Sequence, residues 1–248
     1  MALSIAVATG AHIGDKKEQQ DRLAVLSGSG AVLAVVADGM GGLAGGAMAA
    51  EQVISTARQL FGSWSAATEP GDALLHAIAQ EAHVAIRLAR FTSEQEPHST
   101  VVALLIHGER AHWVHSGDSR LYIFRGATPV FRTVDHSYVE QLHREGKISA
   151  AERETHPQRN YLVSCLGAKD APKVEVGSAS DLRPGDAFVL CTDGVWAYFT
   201  DAELGSALAA LEPRQAAEKL IDAARARAKG NGDNASLAIV KLGAAGGG

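Results

Sequence analysis

Two rhythms of apolar and polar positions run along this chain. Short stretches rich in β-branched and aromatic residues read as strands at 3–9, 32–37, 100–107, 112–115, 121–124, 130–134, 187–191 and 236–242. Helical spacing governs 44–61 and 71–90, where Leu74, Leu75, Ile78, Ala82 and Ile86 form one apolar stripe. Two further helices are expected at 201–211 and 214–229. The stretch 121–134 reads as a hairpin with its turn at 126–129, and the Gly-rich 27–30 reads as another turn. Between the early and the late helices, 137–160 is polar and helix-prone without a strand signal, which suggests a small flap. The run "GAAGGG" at 243–248 is expected to be a disordered tail.

The strands are mostly joined by hairpin-length links and the helices come in pairs. That order favours antiparallel sheets covered by helix pairs, an α+β arrangement, over a βαβ parallel sheet. No repeat or linker interrupts the chain, so a single domain over 1–242 is expected.

Composition narrows the functional classes. With 46% hydrophobic and 21% charged residues among 248, the chain is an ordinary globular sequence. A formal net charge of −5 argues against a general nucleic-acid binder. No apolar run is long enough to insert in a membrane, and the N-terminal "MALSIAVATG" has no basic residue before Lys16, unlike a signal peptide. Cys165 and Cys191 form neither a zinc pattern nor a disulfide framework, and Cys191 reads as a small buried hydrophobe. A cytoplasmic, monomeric protein is the expectation.

Candidate chemistry lies where apolar runs end. "AVVADG" stops at Asp38-Gly39, "WVHSGD" at Asp118 and "FVLCTDG" at Asp193-Gly194, while Asp233 precedes a strand. A single Asp-Gly after a strand is most simply a turn. Four such carboxylates could instead converge at one edge of antiparallel sheets, where mutual repulsion calls for protonation or cations. Hard oxygen donors without His or Cys favour Mg²⁺ or Mn²⁺. Two such ions bridged by one carboxylate are a usual arrangement for phosphate-ester hydrolysis. A rival reading uses the glycines at 39–46 and the helix that follows them to hold a nucleotide phosphate, but leaves the later acidic strand ends unexplained.

Five motifs in order, "DGMGG" at 38–42, "SGDSRLY" at 116–122, "DHS" at 135–137, "CTDGVW" at 191–196 and "GDNASLAIV" at 232–240, resemble the metal-dependent serine/threonine protein phosphatases of the PP2C (PPM) type, in their compact bacterial form. The resemblance covers about residues 14–242. It implies a four-layer αββα sandwich, two antiparallel sheets flanked by helix pairs, with 137–160 as the flap that influences substrate choice. It also implies that Asp38 bridges two metals, that Gly39 offers its carbonyl to one, and that Asp193 and Asp233 bind the other. Asp118 matches the position that holds a third metal with Asp193, and Asp21 matches the acid that binds metal through water. Asn234 is expected to orient the neighbouring carboxylate or ordered waters. The activity implied is hydrolysis of phosphoserine and phosphothreonine in proteins by a hydroxide bridging two Mg²⁺ or Mn²⁺ ions. The partners implied are phosphorylated proteins and a cognate serine/threonine kinase, with a secretion system as one setting.

Some positions depart from the family pattern. Lys16 stands where an arginine usually grips the substrate phosphate, and an ammonium cannot make the bidentate fork of a guanidinium. Lys17 is a substitute candidate. Gln19 and Gln20 precede Asp21, and Met40 follows Asp38-Gly39 where eukaryotic members often have a histidine. A catalytically weak phosphatase-fold module that binds or senses phosphoproteins is therefore the alternative. His112 and His115 read as ordinary sheet residues, His136 as a structural link from strand to flap, and Arg120 as the partner of a nearby acid.

Overall fold

The computed structural model describes residues 3–92 and 96–245. In chain order the strands and helices are β1 (Leu3–His12), β2 (Arg22–Gly28), β3 (Ala31–Ala37), β4 (Gly39–Met40), α1 (Leu43–Ser63) and α2 (Gly71–Ala89). Then come β5 (His98–Ser99), β6 (Val101–His107), β7 (Arg110–Ser116), β8 (Arg120–Arg125) and β9 (Thr128–Arg132). The second half holds α3 (Tyr138–Arg144), α4 (Ala150–Thr155), β10 (Glu175–Ala179), β11 (Asp186–Cys191), α5 (Asp193–Trp196), α6 (Asp201–Ala210), α7 (Pro213–Ala228) and β12 (Ala235–Ala244).

Two five-stranded sheets form the centre, ordered β1-β12-β11-β8-β9 and β10-β7-β6-β3-β2. Every pairing within them is antiparallel. The central strands are apolar on both faces because both are covered, one by the opposite sheet and one by helices. In β3, Leu33, Val35 and Ala37 pack with α1 and α2, whereas Ala34 and Val36 meet the other sheet. In β11 the same alternation puts Val189 and Cys191 with α6 and α7, and Phe188 and Leu190 between the sheets. The layers are therefore helix pair, sheet, sheet and helix pair, as the resemblance implies.

Two edge strands were not visible in the pattern. β2 and β10 lie at the two ends of one sheet and are only half covered; β10 carries no continuous apolar run, and the one in β2, residues 23–26, stands between Arg22 and the Gly-rich 27–30. The turn joining β2 to β3 is Ser29-Gly30, with φ of 52° and 71° at its two residues. That is the left-handed geometry a two-residue hairpin favours. The β8–β9 turn is shorter than expected: Arg125 pairs with Thr128, and Pro129 already lies in β9, an edge strand that tolerates its missing N–H. β12 also runs beyond the expected core. Gly243 and Ala244 pair with Ser4 and Leu3, so the start of the expected disordered tail is a strand end; 246–248 lie outside the described residues. The flap contains α3 and α4, each started by a serine whose hydroxyl accepts from the third backbone N–H beyond it. No helix among the described residues is long and apolar enough to cross a membrane.

Candidate active site

One end of the sandwich collects the acids. Asp38 leaves β3, Asp193 leaves β11 as the first residue of α5, Asp118 lies in the link from β7 to β8, Asp233 precedes β12 and Asp21 precedes β2. Antiparallel pairing explains the meeting. Strands β3 and β11 end where β2 and β12 begin, and β1 pairs with β12, so residues as far apart as Lys16 and Asp233 become neighbours.

The electrostatics record that proximity. Asp38 has its carboxyl pushed well above the ordinary range, first by burial and then by the charges of Asp21, Asp193, Asp118 and Asp233. Burial and the neighbouring acids Asp193 and Asp135 do the same to Asp118, while Arg120 works the other way. Burial raises Asp21 to about 8, although the Thr192 hydroxyl donates to its Oδ2 at 2.9 Å. Asp193 rises to about 6, again by burial first and by Asp233 second. Four carboxyls thus share too little countercharge.

The backbone is shaped to bring them close. A Cβ on Gly39 would meet the Gly46 carbonyl oxygen at 2.0 Å and that of Gln20 at 2.8 Å, so no side chain fits between Asp38 and α1. Gly117, at φ +105°, precedes Asp118, and a Cβ there would strike the Thr100 side chain at 2.6 Å. The backbone N–H of Asp38 donates to Thr100 Oγ1 at 2.9 Å, and its carbonyl accepts from the Thr100 N–H at 2.9 Å. Thr100 Oγ1 also shares a hydrogen with Ser119 Oγ at 2.7 Å, tying the Asp38 and Asp118 loops together.

Divalent cations fit this donor set. Oδ1 of Asp21 is buried with no hydrogen-bond partner, an acceptor without a positive neighbour. The surrounding donors are hard oxygens, which suit Mg²⁺ or Mn²⁺.

The sequence matches the family described as Protein phosphatase 2C over residues 9–238. The chain belongs to that family. It is 33% identical over 221 residues to the serine/threonine protein phosphatase PstP of Mycobacterium tuberculosis, covering 86% of this chain and 41% of that protein. The chain thus spans less than half the length of this relative. The catalytic domain of PstP in complex with two manganese ions superposes with a TM-score of 0.78 at 28% identity, covering 97% of this chain and 99% of that one. PppA, a key regulatory component of T6SS in Pseudomonas aeruginosa, superposes with a TM-score of 0.80 at 28% identity, covering 98% of this chain and all of that one.

Two expected site residues, Lys16 and Asn234, have protein partners of their own. Lys16 does not stand open for a phosphate: its Nζ donates to Asp233 Oδ2 at 2.8 Å. Asn234 spends its side chain on the 13–20 loop rather than on a neighbouring carboxylate. Its Oδ1 accepts from the Gln20 N–H at 2.7 Å, and its Nδ2 donates to the Ile13 and Glu18 carbonyls at 2.8 and 2.9 Å. It therefore positions Asp21 and Lys16 through the backbone. Gln20 contributes no charge; its Nε2 donates to the Gly42 carbonyl at 2.7 Å and so pins the glycine loop to the β2 approach.

Thr100, Thr192 and Ser119 are supporting residues that no sequence signal singled out: Thr100 starts an apolar run with no acid beside it, and a hydroxyl beside an aspartate, as at Ser119 and Thr192, looks like ordinary turn chemistry. Arg120 is the acid partner expected of it. It grips both oxygens of Asp135 at 2.8 and 2.7 Å, reaches the Tyr122 hydroxyl at 3.1 Å and lies 3.5 Å over the Trp196 ring. Trp196 in turn donates to the Asp118 carbonyl at 2.9 Å.

His115 and His136 stack at 4.6 Å behind the Asp118 loop, beside Glu175. His115 bonds the Val134 carbonyl through Nε2 at 2.9 Å, and His136 Nδ1 accepts from the Gly117 N–H at 3.3 Å. Both Nε2 atoms then carry the proton, so His115 holds Val134 and His136 holds Gly117, and the two Nε2 atoms offer no lone pairs to a metal. The backbone N–H of His136 also donates to the Gly117 carbonyl at 2.9 Å, as suits a structural link from strand to flap.

Proposed function

We propose that this chain hydrolyses phosphoserine and phosphothreonine in proteins, with the acidic end of the sandwich holding two divalent cations. The observation that carries the reading is the convergence of Asp21, Asp38, Asp118, Asp193 and Asp233 into one undercompensated group, in a chain of the protein phosphatase 2C family. In this reading Asp38, the Gly39 carbonyl, Asp193 and Asp233 would hold the two cations, and Asp118 would help to hold a third. Asp21 acts through ordered water, to which its unpartnered Oδ1 is suited.

Bound there, Mg²⁺ or Mn²⁺ supplies Lewis-acid charge and lowers the pKa of water, so a nucleophile exists near neutral pH. The protein's own work is positioning. Thr100 and Gly117 fix the backbone on either side of Asp38 and Asp118, and Asn234 fixes the loop bearing Asp21. No cysteine takes part. Cys191 is buried with its thiol pushed up to about 12, and burial raises Cys165 to about 11, so neither is a nucleophile near neutral pH.

The substrates in this reading are phosphoproteins made by a cognate serine/threonine kinase in a bacterial cytoplasm. Similarity to PppA supports a secretion-system setting. A phosphopeptide assay in chelator, followed by added Mn²⁺, tests the activity. Turnover that appears only with Mn²⁺ supports it, and turnover indifferent to chelation sinks it.

A further inference from the structure

Among the described residues, Lys16 and Asp233 form the one contact at the acidic rim in which a protein cation sits directly on a proposed metal ligand. The Nζ–Oδ2 distance is 2.8 Å, and the two side chains are 51% and 44% exposed. The bond to Asp233 raises the Lys16 ammonium above its ordinary range against the effect of burial, with further pull from Asp193 and Asp38. Asp233 Oδ1 accepts from the Asn234 N–H at 2.8 Å, so the contact with Lys16 takes the other oxygen. Asn234 also anchors the loop that carries Lys16. The ammonium is therefore delivered to that spot by the fold.

An ammonium and a divalent cation cannot both sit on Oδ2. Whichever occupies it excludes the other, by overlap and by repulsion between like charges. We propose that Lys16 is a tethered competitor for Asp233, which gives way when the site is loaded and then faces the substrate phosphate. This inference rests on the phosphatase reading for the second half of the exchange. The first half concerns this chain alone. A lysine suits such a device better than an arginine, because its compact charge on a flexible stem can change partner without losing a bidentate pair. The contact is half exposed, so its strength is modest, and the exchange is correspondingly easy.

The test measures binding, apart from turnover. Mn²⁺ titrated calorimetrically into chelator-treated protein gives the affinity of the wild type and of Lys16→Met. The expected result is an affinity raised about 3- to 10-fold in K16M, from the lost contact and the lost like-charge repulsion. Unchanged or weaker Mn²⁺ binding in K16M overturns the competition. Wild-type protein that binds no Mn²⁺ would sink the metal reading itself, a separate outcome. The exchange has its own readout in the NMR signal of ¹³C-dimethylated Lys16. Titrated with diamagnetic Mg²⁺, that signal moves in step with site occupancy if Lys16 is displaced; a signal that stays put while Mg²⁺ binds overturns the proposal. Inorganic phosphate added to Mg²⁺-loaded protein then shifts the same signal again, and binds K16M more weakly than wild type. Equal phosphate affinity in the two would refute the second half of the exchange.

Discussion

Asp135 and Asp38 lie near the same end of the sandwich, yet the protein treats them in opposite ways. Asp135 is held by both nitrogens of the Arg120 fork, and burial, which works against the guanidinium's charge, is outweighed by those bonds. The Arg120 side chain is 11% exposed and that of Asp135 is 10%, so the pair is nearly complete in itself. Among the described residues Asp38 has buried acids around it and no guanidinium bound to it, and burial together with those acids pushes its carboxyl upward. A buried acid that brings its own countercharge is a structural part. One surrounded by further acids is waiting for a charge from outside. The contrast distinguishes the two roles more sharply than burial does.

The same substitution at the two positions should therefore have opposite effects on the metal-free protein. Asp38→Asn is expected to lower Mn²⁺-dependent phosphopeptide turnover by on the order of 10³-fold or more, since it removes a central charge from the cation site. In chelator it should also raise the melting temperature, because one repelling carboxylate is gone. Asp135→Asn leaves Arg120 buried against a neutral amide, which costs about 3–5 kcal/mol. For a chain of this size that is a drop on the order of 10 °C. Calorimetric melts in chelator decide the matter: a D38N protein less stable than wild type would contradict the account of the acidic rim.

A second difference concerns pH. Asp193 and Asp21 are raised to about 6 and about 8, above the ordinary carboxylate range of the unfolded chain. The folded state then holds more protons than the unfolded state between those limits, so stability falls as pH rises. In chelator the loss should begin near pH 4 and continue through about pH 8. Saturating Mn²⁺ should remove or reverse that slope, because cations bind the deprotonated form. A metal-free protein whose stability rises over this range would show that the acids are already compensated.

How much of this was legible beforehand follows from where the information sits. The central strands and the long helices were readable because both their faces, or one broad stripe, are apolar, as in β3, β11 and α2. The edge strand β10 was not, since its half-covered positions admit polar residues; β2 was missed although residues 23–26 are apolar, because that run is short and adjoins the Gly-rich turn. Asp38, Asp118 and Asp193 announced themselves by ending apolar runs. Their surroundings did not: Thr100 supports Asp38 from 62 positions away, and Thr192 supports Asp21 from 171. Lys16 was marked by the family pattern, but its contact with Asp233 spans 217 positions and depends on where Asn234 pins the loop. Residue type survives in the sequence; partnership across the sheet edge does not.

The smallest effect concerns Thr192, which links the two regimes because it gives Asp21 a neutral donor where Asp135 has a guanidinium. Its hydroxyl donates to Asp21 Oδ2 at 2.9 Å and accepts from the Ser236 N–H at 3.1 Å, both in the buried interior. Thr192→Val keeps the shape and removes both bonds, which costs about 1–3 kcal/mol, or roughly 2–4 °C in melting temperature for each kcal/mol. The hydroxyl stabilises the charged carboxylate, so its loss should push the Asp21 carboxyl further up, beyond about 8. In chelator the pH-dependent loss of stability should then extend to higher pH in T192V than in the wild type. A melt series showing the same upper limit in both proteins would mean that burial alone sets the Asp21 carboxyl, and that Thr192 serves only the Ser236 backbone.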